Sequence, residues 1–489
     1  MLEKRGRLCY NLLERREEMP VPDLDRTKKD IGLGLLAPVI ALAWPTMLEQ
    51  LMQTAVQYID TAMVGALGTS ATAAVGSTTT VNWLIGSTIS AFGVGFLSFI
   101  SQARGAGEHD RARRASAQSV FTVLVLGVLF TALTLSLSRF VPAWMQVDPA
   151  IRSLAGTYFF VLYLPMLPRT ATIIFGTVLR AAGDTKTPMR VGVLVNIINV
   201  VLNFLLIYGP RTLHVFGLGI PMWGAGWGVV GAAAASAVSI TVGGVLITAA
   251  LFRHGEISPK GYSIKPDKSI LAPCMKVAFP NMLQRFGTSL GYVAFAAMIN
   301  SLGELSTAAH TVANTVESAF YVPGYGMMAA AATLTGNAIG ARDEEKLRGL
   351  ARVMILFEVV LMAVSGALLF IFAPQMARLF SRDEAVIRLG STVLRMVAVS
   401  EPIFGVSLVI EGMLQGAGKT AVPFVINMAG MWGVRILGTF SCVRLLGMGL
   451  VSAWACMIGH NLLLFVLFGI YYLKGRWDPL RYAKTTENA

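Results

Sequence analysis

Asp60 lies in the stretch QYIDTAMVGALG, inside a run from Leu36 to Leu67 that is otherwise almost uniformly apolar. A lone carboxylate at the centre of a membrane-spanning helix costs about 2.5–3.5 kcal/mol on insertion scales, so a chain that keeps one compensates it or uses it. Helical residues advance by about 100°, which lines Glu49, Gln53 and Asp60 along one narrow stripe that must face protein or water. Further on, Asn196, Asn199 and Asn203 in VNIINVVLNFLLI recur at three and four residues and share a face. Ser236 stands in GAAAASAVS, among small residues that let helices approach closely. A carboxylate, two amide oxygens and a hydroxyl are hard donors, suited to a proton or Na⁺ and poor for a soft metal. The Asn and Ser side chains serve equally as hydrogen-bonding glue between helices, and both roles stay open for them. For Asp60 an ion path is the stronger expectation.

A second polar stripe, His310, Asn314, Glu317 and Tyr321, falls on one face of a later apolar segment. Glu358, Glu401 and Arg435 are isolated charges in the segments after it. Glu317, Glu401 and His310 are the candidates here for ion handling, against the plainer readings of a packed histidine and a structural Glu–Arg pair. Pro45, fifteen residues before Asp60, removes one backbone hydrogen bond and marks an expected hinge on the helix that carries the carboxylate.

The elements that must hold these residues follow from composition. Of 489 residues 55% are hydrophobic and 14% charged, with mean hydropathy +0.63, which places the chain among membrane proteins. Apolar runs long enough to cross a bilayer recur near 35–64, 71–101, 116–137, 154–179, 191–209 and 227–252, and again near 273–301, 305–338, 353–373, 389–413, 422–443 and 448–473. Twelve spans are expected. The net charge of +13 does not point to nucleic acid, because 29 Lys and Arg fall in one set of alternate loops and the tails, against seven in the other set. The positive-inside rule puts both termini in the cytoplasm, and hence the chain in the cytoplasmic (inner) membrane. The first thirty residues lack a cleavable signal pattern. Cys9, Cys274, Cys442 and Cys456 are scattered and read as packing residues.

At an offset of 235 the sequence aligns with itself. AWPTMLEQ meets AFPNMLQR, Gly68 meets Gly303, and LRAAGDTKTP meets LQGAGKTAVP through Leu179, Ala182, Gly183, Thr185 and Pro188. Six spans per half give both halves the same direction of entry, related by an axis along the membrane normal. The expected organisation is an N-terminal tail (1–34), a first lobe (35–252), a linker (253–272), a second lobe (273–473) and a C-terminal tail (474–489). QGAGKT at 415–420 is no phosphate-binding loop, since Met413 stands where the pattern needs glycine. With five His and no metal-ligand or nucleophile spacing, an embedded enzyme is excluded, and no filter sequence or ring of like charge suggests a channel.

QYIDTAMVGALG, LRAAGDTKTP, NIINVVLNFLLI, GAAAASAVS, AAHTVANTVES and GNAIGARD together resemble the multidrug and toxic compound extrusion (MATE) transporters over nearly the whole chain after residue 35. The resemblance implies an all-α integral membrane protein, twelve helices in two pseudo-symmetric six-helix lobes around a central cavity. It also implies export of organic cations or amphipathic drugs in exchange for H⁺ or Na⁺ by alternating access, as a monomer in the bilayer with no other cofactor. Asp60 then matches the family's first-helix carboxylate, Pro45 its hinge, and Asn199 and Ser236 its ion-site partners, with Na⁺ or H⁺ at Asp60, Asn199, Asn203 and Ser236. Asn203 replaces a second acid found in some members, and the seventh span lacks the Glu that some members carry. A flippase for a lipid-linked glycan is the rival, resting on Arg285 and Arg435 for a pyrophosphate.

Overall fold

The structure is a computed structural model that describes residues 33–145, 147–215 and 218–481. Most of the expected N-terminal tail, Cys9 included, and residues 482–489 lie outside the described residues.

The first half runs α1 (Leu33–Gly65), α2 (Thr69–Gly105), α3 (His109–Leu137), a short α4 (Val141–Trp144), α5 (Pro149–Tyr163), α6 (Met166–Ala181), α7 (Lys186–Leu206) and α8 (Gly228–Arg253). The second runs α9 (Lys268–Asn300), α10 (Glu304–Gly340), α11 (Glu344–Phe380), α12 (Glu384–Ala398), α13 (Glu401–Gly416), α14 (Ala421–Met428), α15 (Leu437–Phe440) and α16 (Leu450–Leu473). Two π-helical stretches, Ala429–Ile436 and Ser441–Leu445, flank α15. Among the described residues eight helices are long and apolar enough to cross a membrane, or ten spans if each of two bent pairs counts as one. The molecule is not wholly helical. Between α7 and α8 the strands β1 (Arg211–Val215) and β2 (Leu218–Met222) pair antiparallel, Arg211 opposite Met222. Once the chain leaves the helix, its backbone groups are satisfied by this pairing.

The internal repeat reappears as geometry. The spans expected near 154–179 and 389–413 are bent, by 51° between α5 and α6 and by 53° between α12 and α13. Asp148 caps α5 by accepting from Ala150 N at 2.8 Å, and Asp383, its mate at offset 235, caps α12 from Ala385 N at 2.8 Å. Gly183 and Gly418, mates again, close their helix-to-helix turns at φ 84° and 73°, so QGAGKT is the tight turn its context demands. Helix α1 runs unbroken through Pro45.

The halves meet mainly through α2 against α9 and α10, and α1 against α10. One close approach lies at the ends that carry the Arg- and Lys-rich loops. There Gly105 faces the backbone of Asn337 and Gly340 faces the backbone of Gln102, each pair being the other's mate at offset 235. Ser98 Oγ and Gln102 Nε2 donate to the Gly416 carbonyl at 3.1 and 2.8 Å, and Thr333 Oγ1 donates to the Arg180 carbonyl at 3.3 Å. The linker is docked on α3 and the end of α2: Gln118 of α3 bridges the carbonyls of Ser263 and Lys265 and the Asp267 N–H, Tyr262 donates to Asp110 of α3, and Arg104 of α2 pairs with Glu256 at 2.8 Å. The chain after α16 is also folded down, with Trp477 4% and Asp478 1% exposed and Arg348 3.3 Å from Asp478. Its first residues pack on the second half rather than forming a free tail.

Candidate ion-coupling site

Helix α8 lies against α7 closely enough that a side chain at Gly231 would meet the Leu206 carbonyl carbon at 2.6 Å, and one at Gly243 would meet Val195 at 2.6 Å. That approach, permitted by small residues, brings Ser236 to Asn199. Asn199 Nδ2 donates to Ser236 Oγ at 3.1 Å, Asn203 Nδ2 donates to Asn199 Oδ1 at 3.2 Å, and the same Nδ2 donates to Asp60 Oδ1 at 2.5 Å. One continuous polar chain thus joins α8, α7 and α1. Asn199 and Asn203 are buried at 5% and 1% exposure, while Asp60 and Ser236 are half-buried. Asn203 Oδ1 is fully buried with no hydrogen-bond partner. A buried amide oxygen without a donor costs about 1–3 kcal/mol, and a proton-bearing group or a hard cation beside Asp60 would relieve it. No cluster of three His, Cys, Asp or Glu that would hold a softer metal exists among the described residues.

The other polar residues of these helices lie elsewhere. Glu49 leaves the Asp60 stripe to pair with Arg180 of α6 at 2.7 Å. Gln53 is exposed, and Asn196 is half-buried outside the chain of hydrogen bonds just given. Tyr58, two residues before Asp60, donates to the Thr315 carbonyl at 2.6 Å and stands 2.6 Å from Ser318 Oγ, tying α1 to α10 in the other half. Thr46, next to Pro45, donates to the Gly326 carbonyl of α10 at 2.9 Å.

Sequence reasoning missed a second set beside the site. Arg169 Nη1 donates to Asn82 Oδ1 at 2.7 Å, Tyr163 donates to the same oxygen at 3.0 Å, and the guanidinium lies 5.1 Å from the Tyr163 ring. Tyr158, one helical turn earlier, packs against the cluster that contains Met63 and Val64 and lies within electrostatic reach of both Asp60 and Arg169. The available signal was Arg169 itself, a charge inside an apolar span.

In the second half Glu317, Glu358 and Glu401 are buried at 7%, 0% and 2% exposure. Both Glu358 oxygens and one of Glu401 lack hydrogen-bond partners. His310 sits between the rings of Phe295 and Trp454, centroids 5.7 and 5.8 Å away, in the manner of a packed ring. Arg435 is buried over the faces of Phe295 and Tyr292, 4.3 and 4.8 Å from their centroids, and no ion pair joins it to an acid among the described residues. In place of the alternative Glu–Arg pair stands a cation–π arrangement, which holds a guanidinium without a carboxylate. Arg285 donates to Asn281 at 2.8 Å. Glu411, unremarked in the sequence, gathers Gln284, Gln415 and Asn427 at 2.8, 3.3 and 3.0 Å.

A family model described as MatE matches residues 45–205 and again 280–441, at almost the spacing of the internal repeat. The chain is 28% identical over 440 residues to a probable multidrug resistance protein NorM of Thermotoga maritima, covering 90% of this chain and 92% of that one. It is similar to a crystal structure of a MATE protein in complex with MaL6, with TM-score 0.83, 25% identity and coverage of 93% and 100%. It is equally similar to an outward-facing multidrug resistance MATE family transporter, with TM-score 0.83, 25% identity and coverage of 93% and 99%.

Proposed function

Since this chain belongs to the MatE family, whose members are membrane transporters and not enzymes, we propose that it is a secondary antiporter, exporting organic cations or amphipathic drugs as H⁺ or Na⁺ enters. The bent pairs count as single spans, and α9 and α10, 33 and 37 residues long, complete the set of twelve. The lobes are residues 35–252 and 273–473, surrounding a central cavity, with both termini on the cytoplasmic side of the inner membrane and the monomer as the working unit.

The polar chain Ser236–Asn199–Asn203–Asp60, with its unpartnered Asn203 oxygen, carries the reading. With the site empty, the Asp60 charge is stabilised by the short bond from Asn203. A proton on Asp60 cancels that charge and gives Asn203 Oδ1 a donor within reach; Na⁺ takes oxygens from Asp60, Asn203, Asn199 and Ser236 instead. Either ion favours the arrangement in which α1 closes on α7 and α8. It biases the two access states only through this difference in affinity. Tyr58 and Thr46 pass a shift of α1 to α10, and the paired glycines at the α2–α10 crossing close the cytoplasmic side.

The glycan-flippase reading needs cationic side chains free for pyrophosphate. Arg435 over two rings and Arg285 on Asn281 are poorly placed for that role. The deciding experiment is drug transport into inverted vesicles with H⁺ and Na⁺ gradients imposed separately, comparing wild type with Asp60→Asn. Gradient-driven transport in the wild type and its loss in the variant are expected. Transport undiminished in the variant refutes the assignment.

A further inference from the structure

Cys442 and Cys456 are fourteen residues apart, a spacing that means nothing in a regular helix pair. Cys442 lies in the π-helical stretch Ser441–Leu445 at the end of its span, where the turn is wider than in an α-helix. Its Sγ lies 3.8 Å from Cys456 Sγ on α16. Gly438 leaves room for this approach, since a methyl carbon there would stand 3.1 Å from Cys456 Sγ. Both cysteines are half-buried and line a cavity of about 580 Å³ with Met448, Gly449 and Ser452, whereas Cys274 is fully buried. The loop at this end, between Leu445 and Leu450, follows Arg444 and has no other basic residue, so the charge pattern places it outside, where disulfides persist.

We propose that Cys442 and Cys456 form a reversible disulfide that staples the outer end of the eleventh span to the twelfth. The sulfurs must close from 3.8 Å to about 2.0 Å, a movement within reach of side-chain rotation. The oxidant is a disulfide, either a small molecule or an extracytoplasmic thiol–disulfide oxidoreductase. One thiol loses its proton and attacks a sulfur of that disulfide, forming a mixed disulfide and releasing one thiolate. The second cysteine then loses its proton, attacks the protein-bound sulfur and expels the other thiolate. Two protein sulfurs are oxidised by two electrons in all, and the oxidant leaves as two thiols.

The test treats the purified full-length chain in lipid nanodiscs with oxidised glutathione, then counts free thiols by maleimide gel shift and intact mass under denaturing conditions. Two of the four thiols should disappear with loss of about 2 Da, a cross-linked peptide joining Cys442 to Cys456 should be recovered, and dithiothreitol should restore both. Cys442→Ser and Cys456→Ser, each checked for monodisperse elution, should each abolish the cross-link. Four free thiols after oxidation, or stable glutathione adducts on either cysteine of the wild type, would overturn the proposal and leave the two sulfurs a packing pair.

Discussion

Replacing Gly340 with alanine puts a methyl carbon 2.7 Å from the Gln102 carbonyl carbon and 2.9 Å from the Ala106 nitrogen. Ordinary contact needs about 3.5–4.0 Å, so α2 and α10 must part by about 1 Å at the ends proposed to seal the cytoplasmic side. The atoms in the way are backbone, which cannot rotate aside. Overpacking of this kind costs about 1–3 kcal/mol, and here the cost falls only on the state in which the crossing is closed. If the other access state opens the crossing, the equilibrium shifts toward it by about five- to 150-fold. Spin labels at the exposed positions Glu108 and Glu345 should then show a longer distance in the variant, with slowed drug efflux. Gly105→Ala, which meets the Asn337 carbonyl carbon at 2.7 Å, should do the same, while Gly469→Ala, with nothing within 4 Å, should do neither. A wild-type distance distribution together with wild-type efflux in Gly340→Ala would refute the claim that this contact closes the gate.

Other outcomes follow from the same contacts. Removing Glu49 by Glu49→Gln should destabilise the protein by about 1–3 kcal/mol because Arg180 loses its charged partner in a largely buried place, and a double-mutant cycle with Arg180→Gln in thermal melts should show the coupling. Glu358→Gln should melt within about 1 kcal/mol of wild type, since neither oxygen has a partner to lose, whereas Glu358→Lys should prevent folding; a large loss in the Gln variant would contradict the reading. The docked linker should loosen on acidification. Burial holds the His254 imidazole below its ordinary value, helped by Arg104 and opposed by Asp184 and Glu256; burial would raise the Glu256 carboxyl, but its bond to Arg104 more than reverses this. For both groups the unfolded form binds protons more readily, so docking is fully stable above the ordinary histidine value of about 6.5 and weakens as pH falls, first through His254 and then through Glu256. Glu256 is 42% exposed, which keeps its share small. Hydrogen exchange over residues 254–267 at pH 7.5 and 5, each corrected for the intrinsic exchange rate at that pH, should report lower protection at the lower pH, and equal protection would contradict it.

Asp60, the Asn face of α7 and Ser236 were legible because a polar residue in an apolar run stands out and helical spacing states which of them share a face. The repeat was legible because its marks are local: turn glycines, caps and the prolines of the first and seventh spans. Contacts that depend on how helices approach one another were not. Glu49 shares a stripe with Asp60, yet a cation on α6 draws it away, and nothing in one helix's periodicity names its neighbour's residues. Tyr158 and Glu411 are ordinary in sequence and gain their meaning from partners 98 and 127 residues distant. The approach of Cys442 to Cys456 joins two helices, and the spacing within neither announces it.

The repeat also shows where its two halves have parted, and the parting bears on mechanism. At offset 235 the mates of Asp60, Asn199 and Asn203 are Phe295, Val434 and Gly438. The second half of the chain has no copy of the polar chain. In its place Phe295 is 1% exposed beneath the guanidinium of Arg435, so a ring and a fixed cation stand where the first lobe has an acid. The crossing proposed as the gate is shared evenly, since Gly105 and Gly340 meet each other's mates, and so are the bends at α5–α6 and α12–α13. The halves therefore kept the close helix crossing and the bends in common and lost symmetry at the polar chain proposed to hold the ion. If the ion binds in one lobe alone, its energy reaches the other only through contacts that cross between them. Near the site that contact is Tyr58, on Thr315 and Ser318. Tyr58→Phe leaves Asp60 and its amides untouched, so ion binding by the first lobe should persist while ion-driven efflux falls several-fold. Isothermal titration and vesicle transport measured on the same preparation would separate the two, and equal losses of binding and transport would mean that Tyr58 belongs to the site rather than to its transmission.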